Sequence, residues 1–384
     1  MTDAGIYVHV PFCLTRCGYC DFNAYAGLDE LKPRYLRALD IEAGLAAPAW
    51  EGTPFVSVFL GGGTPTTMAP DDLRALLAAL RARFDLTDDA EVTIEANPDT
   101  VDETSLRALL DAGYDRLSMG AQSFDLAVLA SLERVHQPDA VRAAMAAARR
   151  AGYENVNLDL IYGTEGETLE SWDRTLREAV ALAPEHVSAY ALTIEPATPL
   201  GRQIAAGARP EPDPDLQADM FALACEVLAA SGYRHYEVSN WAKPGFECRH
   251  NLGYWERRPY VGLGAGAHAY RDDVRWWNVR PPEQYLEMVE SGELPIGGSE
   301  SLDPSDAYLE EVFLKLRILE GVPAAWFDEA TYEPFLASGL LVDDGFGQLV
   351  PTERGMLLLN ELVLGLTADA QPSGATSTPQ NSPS

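Results

Sequence analysis

From residue 6 to about 195, short apolar runs alternate with longer amphipathic stretches. The runs Ile6–Phe12, Phe55–Leu60, Glu91–Ala96, Arg116–Gly120, Asn155–Ile161 and His186–Ile194 are rich in Val, Ile, Leu and Tyr, as sheet strands are. Between them lie helical stretches. Over Asp71–Phe84, Leu73, Leu76, Leu77, Leu80 and Phe84 share one face, and Arg74, Arg81 and Arg83 fall largely elsewhere. Asp71 and Asp72 open that stretch, where carboxylates suit the positive end of the helix dipole. Asp102–Ala112, Pro138–Ala151, Leu169–Ala183 and Asp215–Ala230 read as further helices, with Gly113, Gly152 and Gly232 placed to cap three of them. Six strands alternating with helices imply right-handed parallel crossovers. The expected class is α/β, a doubly wound sheet or a complete or partial barrel, with its site at the C-terminal ends of the strands.

After residue 235 the pattern changes. Tyr236–Tyr270 is rich in Gly, aromatic and polar residues and reads as irregular structure with short strands, packed on the preceding domain. Pro282–Ser291 reads as a helix. Residues 303–366 are mostly helical, strongest over Ala307–Leu319, with a hairpin at Leu340–Val350 around Asp344-Gly345. Helices plus a hairpin predict a small, mostly helical, winged-helix-like C-terminal domain. The expected boundaries are 1–235, 236–300 and 301–366, and the low-complexity run 367–384 reads as a disordered tail.

Composition narrows the function. The chain has 384 residues, 47% hydrophobic and 23% charged, which is globular composition with room for a large core. Twenty-eight basic against 59 acidic residues give a net charge of −31, which argues against nucleic-acid binding and stable association with anionic lipid. Residues 1–10 carry no export signal, and no apolar run reaches the roughly eighteen residues of a membrane span, so the cytoplasm is the expected compartment. Five cysteines in a chain this long are no disulfide scaffold.

Three of those cysteines fall within eight residues. Cys13, Cys17 and Cys20 form C-x3-C-x2-C directly after the first strand. Thiolates so spaced converge on one loop and bind zinc or an iron–sulfur cluster. A cubane held by three ligands leaves one iron open for substrate. The competing reading is structural zinc with a distant fourth ligand, such as Cys248 or His250.

C-x3-C-x2-C with Tyr19 before its last cysteine resembles the signature of the radical S-adenosylmethionine (SAM) superfamily. The fuller string IYVHVPFCLTRCGYCDFN resembles one branch, the oxygen-independent coproporphyrinogen III oxidases and the related HemW heme chaperones, and the likeness runs over about residues 6–365. It implies a partial (β/α)6 TIM-like barrel of the radical SAM type, a [4Fe–4S] cluster on Cys13, Cys17 and Cys20, and SAM at its open iron.

Other motifs bear on SAM. Gly61-Gly62-Gly63-Thr64-Pro65 ends the second strand, where glycines let backbone approach a ligand or simply make a tight turn. Glu95, in IEANPD, is a carboxylate in an apolar strand and needs a partner, either a ligand or an inner Arg. Gln122 satisfies a polar ligand or caps a helix. Arg134 suits a carboxylate bidentately, and Asp159 pairs with it or with ribose. By resemblance Tyr7, Tyr19, Gly62, Gly63, Thr64, Glu95, Gln122, Arg134 and Asp159 match SAM-contacting positions of the oxidase, some of them to a second SAM. His9 reads as a structural, hydrogen-bonded histidine inside the barrel.

Three features separate the branch members. The oxidase carries a fourth cysteine where this chain has Phe22. It also has a substantial extension before its cluster, whereas the first ligand here is residue 13. Finally, His250-Asn251-Leu252-Gly253-Tyr254-Trp255 fits H-N-x-x-Y-W, a motif associated with the chaperones. Its chemistry suits heme: imidazole ligates iron, and Tyr and Trp stack on a flat macrocycle. Arg249, Arg257 and Arg258 would meet propionates. The plainer reading is a turn with packed aromatics. His268 and Cys248 are the other ligand candidates, and Cys225 reads as a small core residue.

The expected function is therefore a heme chaperone that binds heme and transfers it to acceptor hemoproteins, with peripheral docking on membrane proteins open to it. The alternative is an oxygen-independent coproporphyrinogen III oxidase, which turns propionate into vinyl by radical decarboxylation. A radical SAM enzyme of other specificity is a third, weaker reading.

Overall fold

The computed structural model describes residues 3–368, and the expected tail from 369 on lies outside them. Six parallel strands follow the predicted order: β1 Ala4–Val10, β2 Pro54–Gly62, β3 Asp85–Ala96, β4 Arg116–Gln122, β5 Asn155–Tyr162 and β6 His186–Ala191. β1 ends one residue before Pro11, which has no N–H to continue the ladder. The predicted helices appear at Pro70–Arg83, Glu103–Ala112, Pro138–Ala151, Leu169–Ala181 and Pro214–Ala230. Gly113 and Gly152 close two of them in the left-handed conformation.

The stretch after 235 is more regular than expected. It supplies β7 Arg234–Glu237, β8 Asn240–Ala242, β9 Tyr260–Leu263, β10 His268–Arg271, β11 Val274–Asn278 and β12 Ile296–Ser301. All join one 12-stranded sheet in the order β12-β11-β10-β9-β1-β2-β3-β4-β5-β6-β8-β7. β9 pairs parallel with β1, making a seventh parallel strand, and β10, β11 and β12 continue antiparallel. These strands have three to six residues, too few for alternation to stand out from the sequence. A first compact unit extends through Ser301.

The second compact unit starts at Leu302. Its helix Pro304–Lys315 precedes a three-stranded sheet of Val322–Pro323, Leu341–Asp343 and Gln348–Pro351. The last two strands form the predicted hairpin around Asp344-Gly345. Among the described residues no helix is long and apolar enough to cross a membrane.

Alternation sorts the central strands into two faces. Ile6, Val8, Val58, Leu60, Val92, Ile94, Leu117, Met119, Val156, Leu158 and Val187 are fully buried on the helix-covered side. The inner face is polar instead. The register aligns Glu95 with Ser118 and Asn157 with His186, and puts Asp159 beside Gly120 and Ser188.

Candidate functional site

The three cysteines stand on the loop that leaves the C-terminal end of β1, and all are free and half-buried. A short ladder of Phe12–Cys13 with Tyr25–Ala26 closes that loop. Inside it, Cys20 N donates to the Cys17 carbonyl at 3.2 Å. Thr64 Oγ1 lies 3.6 Å from Cys13 Sγ, and Arg134 Nη1 donates to Cys17 Sγ at 3.5 Å. Burial pushes the Cys20 thiol up to about 11 and raises Cys13, so a bound metal must itself favour their thiolates. Among the described residues no three His, Cys, Asp or Glu are gathered tightly enough for a single bare ion.

Around this loop the expected SAM positions gather at the C-terminal strand ends. Gly63 N donates to Val10 O and Thr64 N to Phe12 O, both at 2.8 Å. Gly62 has φ +109° and faces the His9 ring, leaving no room for a Cβ. The glycines are thus required by packing under the cysteine loop, whatever they also offer a ligand. Glu95 accepts from Gly62 N at 3.0 Å, and burial, then the Asp159 charge, push its carboxyl up to about 8. Asp159 is also raised by burial, against hydrogen bonds from Asn157 and Ser118. Two carboxyls sharing an enclosed field suit a cationic ligand. Gln122 takes φ +63°, strained for a residue with a side chain, at the register shift that ends β4.

Three of the expected positions have protein partners. Arg134 does not stand open for a carboxylate: its guanidinium joins Cys17, the Asn97 side chain and the Gly120 carbonyl at 3.1 Å. Tyr7 is half-buried, its hydroxyl 2.9 Å from His9 Nδ1 and its ring stacked on Phe59. Tyr19 packs against Val128, Leu132 and Ile161. His9 is structural as expected, 5% exposed, with Nε2 at 2.9 Å from the Asn23 carbonyl. Asn23 itself escaped the sequence reading; only its place three residues after Cys20 hinted at it.

A family profile described as Radical SAM superfamily matches residues 7–179. The solved structure of coproporphyrinogen III oxidase (HemN) from Escherichia coli, a radical SAM enzyme, matches with a TM-score of 0.81 at 26% identity, over 95% of this chain and 90% of that one. The heme chaperone HemW of Mycobacterium tuberculosis (strain CDC 1551 / Oshkosh) is 45% identical over 365 residues, 94% of this chain and 93% of its own length. The chain belongs to the HemW family. HemW of Escherichia coli (strain K12) is 34% identical, over 93% of this chain and 96% of its length.

In this HemW-family chain, HNLGYW forms the short helix Arg249–Trp255 at the opposite end of the barrel. His250 packs against Gly5, the second residue of β1, roughly 17 Å along the strand from Val10 at about 3.3 Å per residue. It is 3% exposed, with Nδ1 2.9 Å from Ser57 Oγ and Nε2 2.9 Å from Tyr254 OH. Both ring nitrogens are therefore engaged, and burial lowers the imidazole to about 3. Glu91 accepts the Arg249 and His250 amides and the Cys248 thiol. Tyr254 stacks edge-on with Tyr260, and Asn251 and Trp255 are half-buried on the same helix. Arg249, Arg257 and Arg258 pair with Asp89, Asp273 and Asp3. The structure therefore separates this motif from the cysteine loop and gives its parts protein partners. Cys225 is buried in the core as expected.

A polar chain links the two ends. Asn157 donates to Asp159 and to Ser118; His186 Nδ1 lies 2.7 Å from Asn157 Oδ1; His186 Nε2 lies 2.7 Å from Tyr236 OH, which accepts from Cys248 N at 3.2 Å.

Proposed function

We propose that this chain is a heme chaperone, which binds heme and passes it to acceptor hemoproteins on a radical SAM scaffold. The likeness to HemW over 94% of the chain carries the reading. In support, Phe22 stands 62% exposed where the oxidase has a cysteine. The domains are taken as 1–235 for the barrel, 236–300 for the segment after it and 301–366 for the C-terminal domain, in a cytoplasmic protein.

Cys13, Cys17 and Cys20 would hold a [4Fe–4S] cluster, and SAM would complete its open iron. When bound, that pair supplies a one-electron reductant and a source of alkyl radical, whether or not it is used. Thr64 Oγ1 lies beside the Cys13 sulfur, and Arg134 donates to the Cys17 sulfur. Glu95 and Asp159 offer negative charge to the ammonium and sulfonium of SAM. Gly62 and Gly63 hold the second strand end against the cysteine loop.

Anaerobic titration of cluster-loaded protein with hemin, followed by the Soret band, tests this reading. Saturation near one heme per chain, with transfer to an apo-hemoprotein, is expected; no saturable binding overturns it. Likeness to the oxidase structure favours a second reading, coproporphyrinogen III oxidation. Anaerobic turnover to protoporphyrinogen IX by the cluster-loaded protein supports that reading, and its absence removes it.

A further inference from the structure

The structure contains six histidines, and five are closed to an incoming metal. His9, His186 and His250 have both ring nitrogens hydrogen-bonded. His136 is 2% exposed and gives Nε2 to Ala121. His235 stacks on Trp241 at 4.4 Å with its Nε2 buried. His268, the first residue of β10, is exposed, and among the described residues no donor or acceptor meets its ring.

Its surroundings are built rather than incidental. The indole of Trp277, directly across the ladder, stacks on the imidazole at 5.7 Å between centroids and 29° between planes. Trp277 in turn lies flat over Gly298, where a Cβ would come within 2.5 Å of the indole. The turn before His268 is pinned from below: Gly264 N and Asn278 donate to Glu42, and Ala265 N to Tyr35. From the cysteine loop, Asn23 donates to the carbonyls of Ala265 and Arg280. Arg280 is exposed, and among the described residues no carboxylate pairs with it. Burial of part of the ring, then the charges of Arg275 and Arg280, keep His268 below its ordinary value.

We infer that His268 is the axial ligand of the bound heme, with Trp277 holding the imidazole and Arg280 meeting a propionate. A single open imidazole suits heme, whose porphyrin brings four equatorial nitrogens of its own, and not a bare ion, which needs several protein ligands. A free guanidinium answers the dianionic edge of heme on a protein of net charge −31. Binding forms one Fe–N bond and displaces water from iron, with no change of redox state. Trp277 is a positioning residue here: its ring stacks on the imidazole. The inference rests on the chaperone reading and names its site.

Hemin titrations of the full chain distinguish the two. His268→Ala is expected to weaken binding at least about tenfold, roughly 1.4 kcal/mol, and to shift the Soret band. Added imidazole should restore the band, which a merely structural role would not allow. Arg280→Glu should weaken binding without moving the band. A wild-type band and affinity in His268→Ala overturn the assignment, as does loss of the band in folded His250→Gln while His268→Ala keeps it. If the wild-type chain binds no hemin, the chaperone reading falls and this site with it.

Discussion

The Asn23 side-chain amide lies 2.9 Å from the main-chain carbonyl of Arg280, tying the cysteine loop to the strand that carries Trp277. The same amide reaches Ala265 O at 2.9 Å, and its oxygen accepts from Tyr25 OH at 3.0 Å. Asn23→Ala leaves two carbonyls short of a donor, at a cost of about 1–3 kcal/mol each where they are buried. A lower thermal midpoint is expected together with reduced iron per chain after reconstitution. Full iron loading with only a stability loss would show that the tie does not shape the loop.

Gly62→Ala should be far more costly than Gly27→Ala. Both glycines have positive φ, but a Cβ at 62 falls on the His9 ring, whereas nothing lies within 4 Å of one at 27. The open site should lose about 1 kcal/mol from backbone strain alone, and the crowded one several times that. Urea unfolding of the two variants measures the difference, and equal losses would contradict the packing.

Glu42 gives a pH signature. Its carboxyl is buried among Gly264 N, Asn278 and Tyr285, and burial pushes it up to about 7 against those hydrogen bonds. The folded state then keeps a proton that the unfolded state, near the ordinary 4.5, releases. This contribution is full below about pH 4.5 and is lost as pH rises to about 7, on the order of 3 kcal/mol in all. Glu42→Gln has no such proton. The variant loses hydrogen bonds at every pH, but its deficit against wild type should shrink from pH 5 to pH 8. A constant deficit in thermal midpoint would mean that Glu42 is ionised throughout.

His186 is wholly buried and joins Asn157 to Tyr236. His186→Ala strands both partners and opens a cavity, a loss of about 2–4 kcal/mol. Because Asn157 also holds Asp159, SAM binding to the cluster-loaded protein should weaken, and His186→Gln should recover part of it. Unchanged SAM affinity in a destabilised His186→Ala would confine the chain to a structural role.

Single replacements of Cys13, Cys17 or Cys20 by Ala should lower iron and sulfide toward zero, whereas Cys248→Ala should retain both. Cys248 is fully buried at the far end of the barrel, against Glu91. Metal analysis of the four variants decides it, and loss of metal in Cys248→Ala would restore the zinc alternative.

Local patterning determined the six central strands, five of the helices and the left-handed caps at Gly113 and Gly152, because each depends on neighbours a few residues away. It also placed Cys13, Cys17 and Cys20 on one loop, since their spacing is itself local. His9 was legible as structural for a similar reason: it follows Tyr7 by one inward step of the strand. The HNLGYW motif carries the right chemistry for heme, and only the tertiary structure decided that His250 is spent on Ser57, 193 positions away, and on Tyr254. Likewise, nothing near His268 in the chain reveals that its ring is left open, or that Asn23, 257 positions from Arg280, steadies the strand beside it. Periodicity records which face a side chain takes. Which partners meet that face is set by how distant strands come into register, and that step decides whether a histidine is consumed or available.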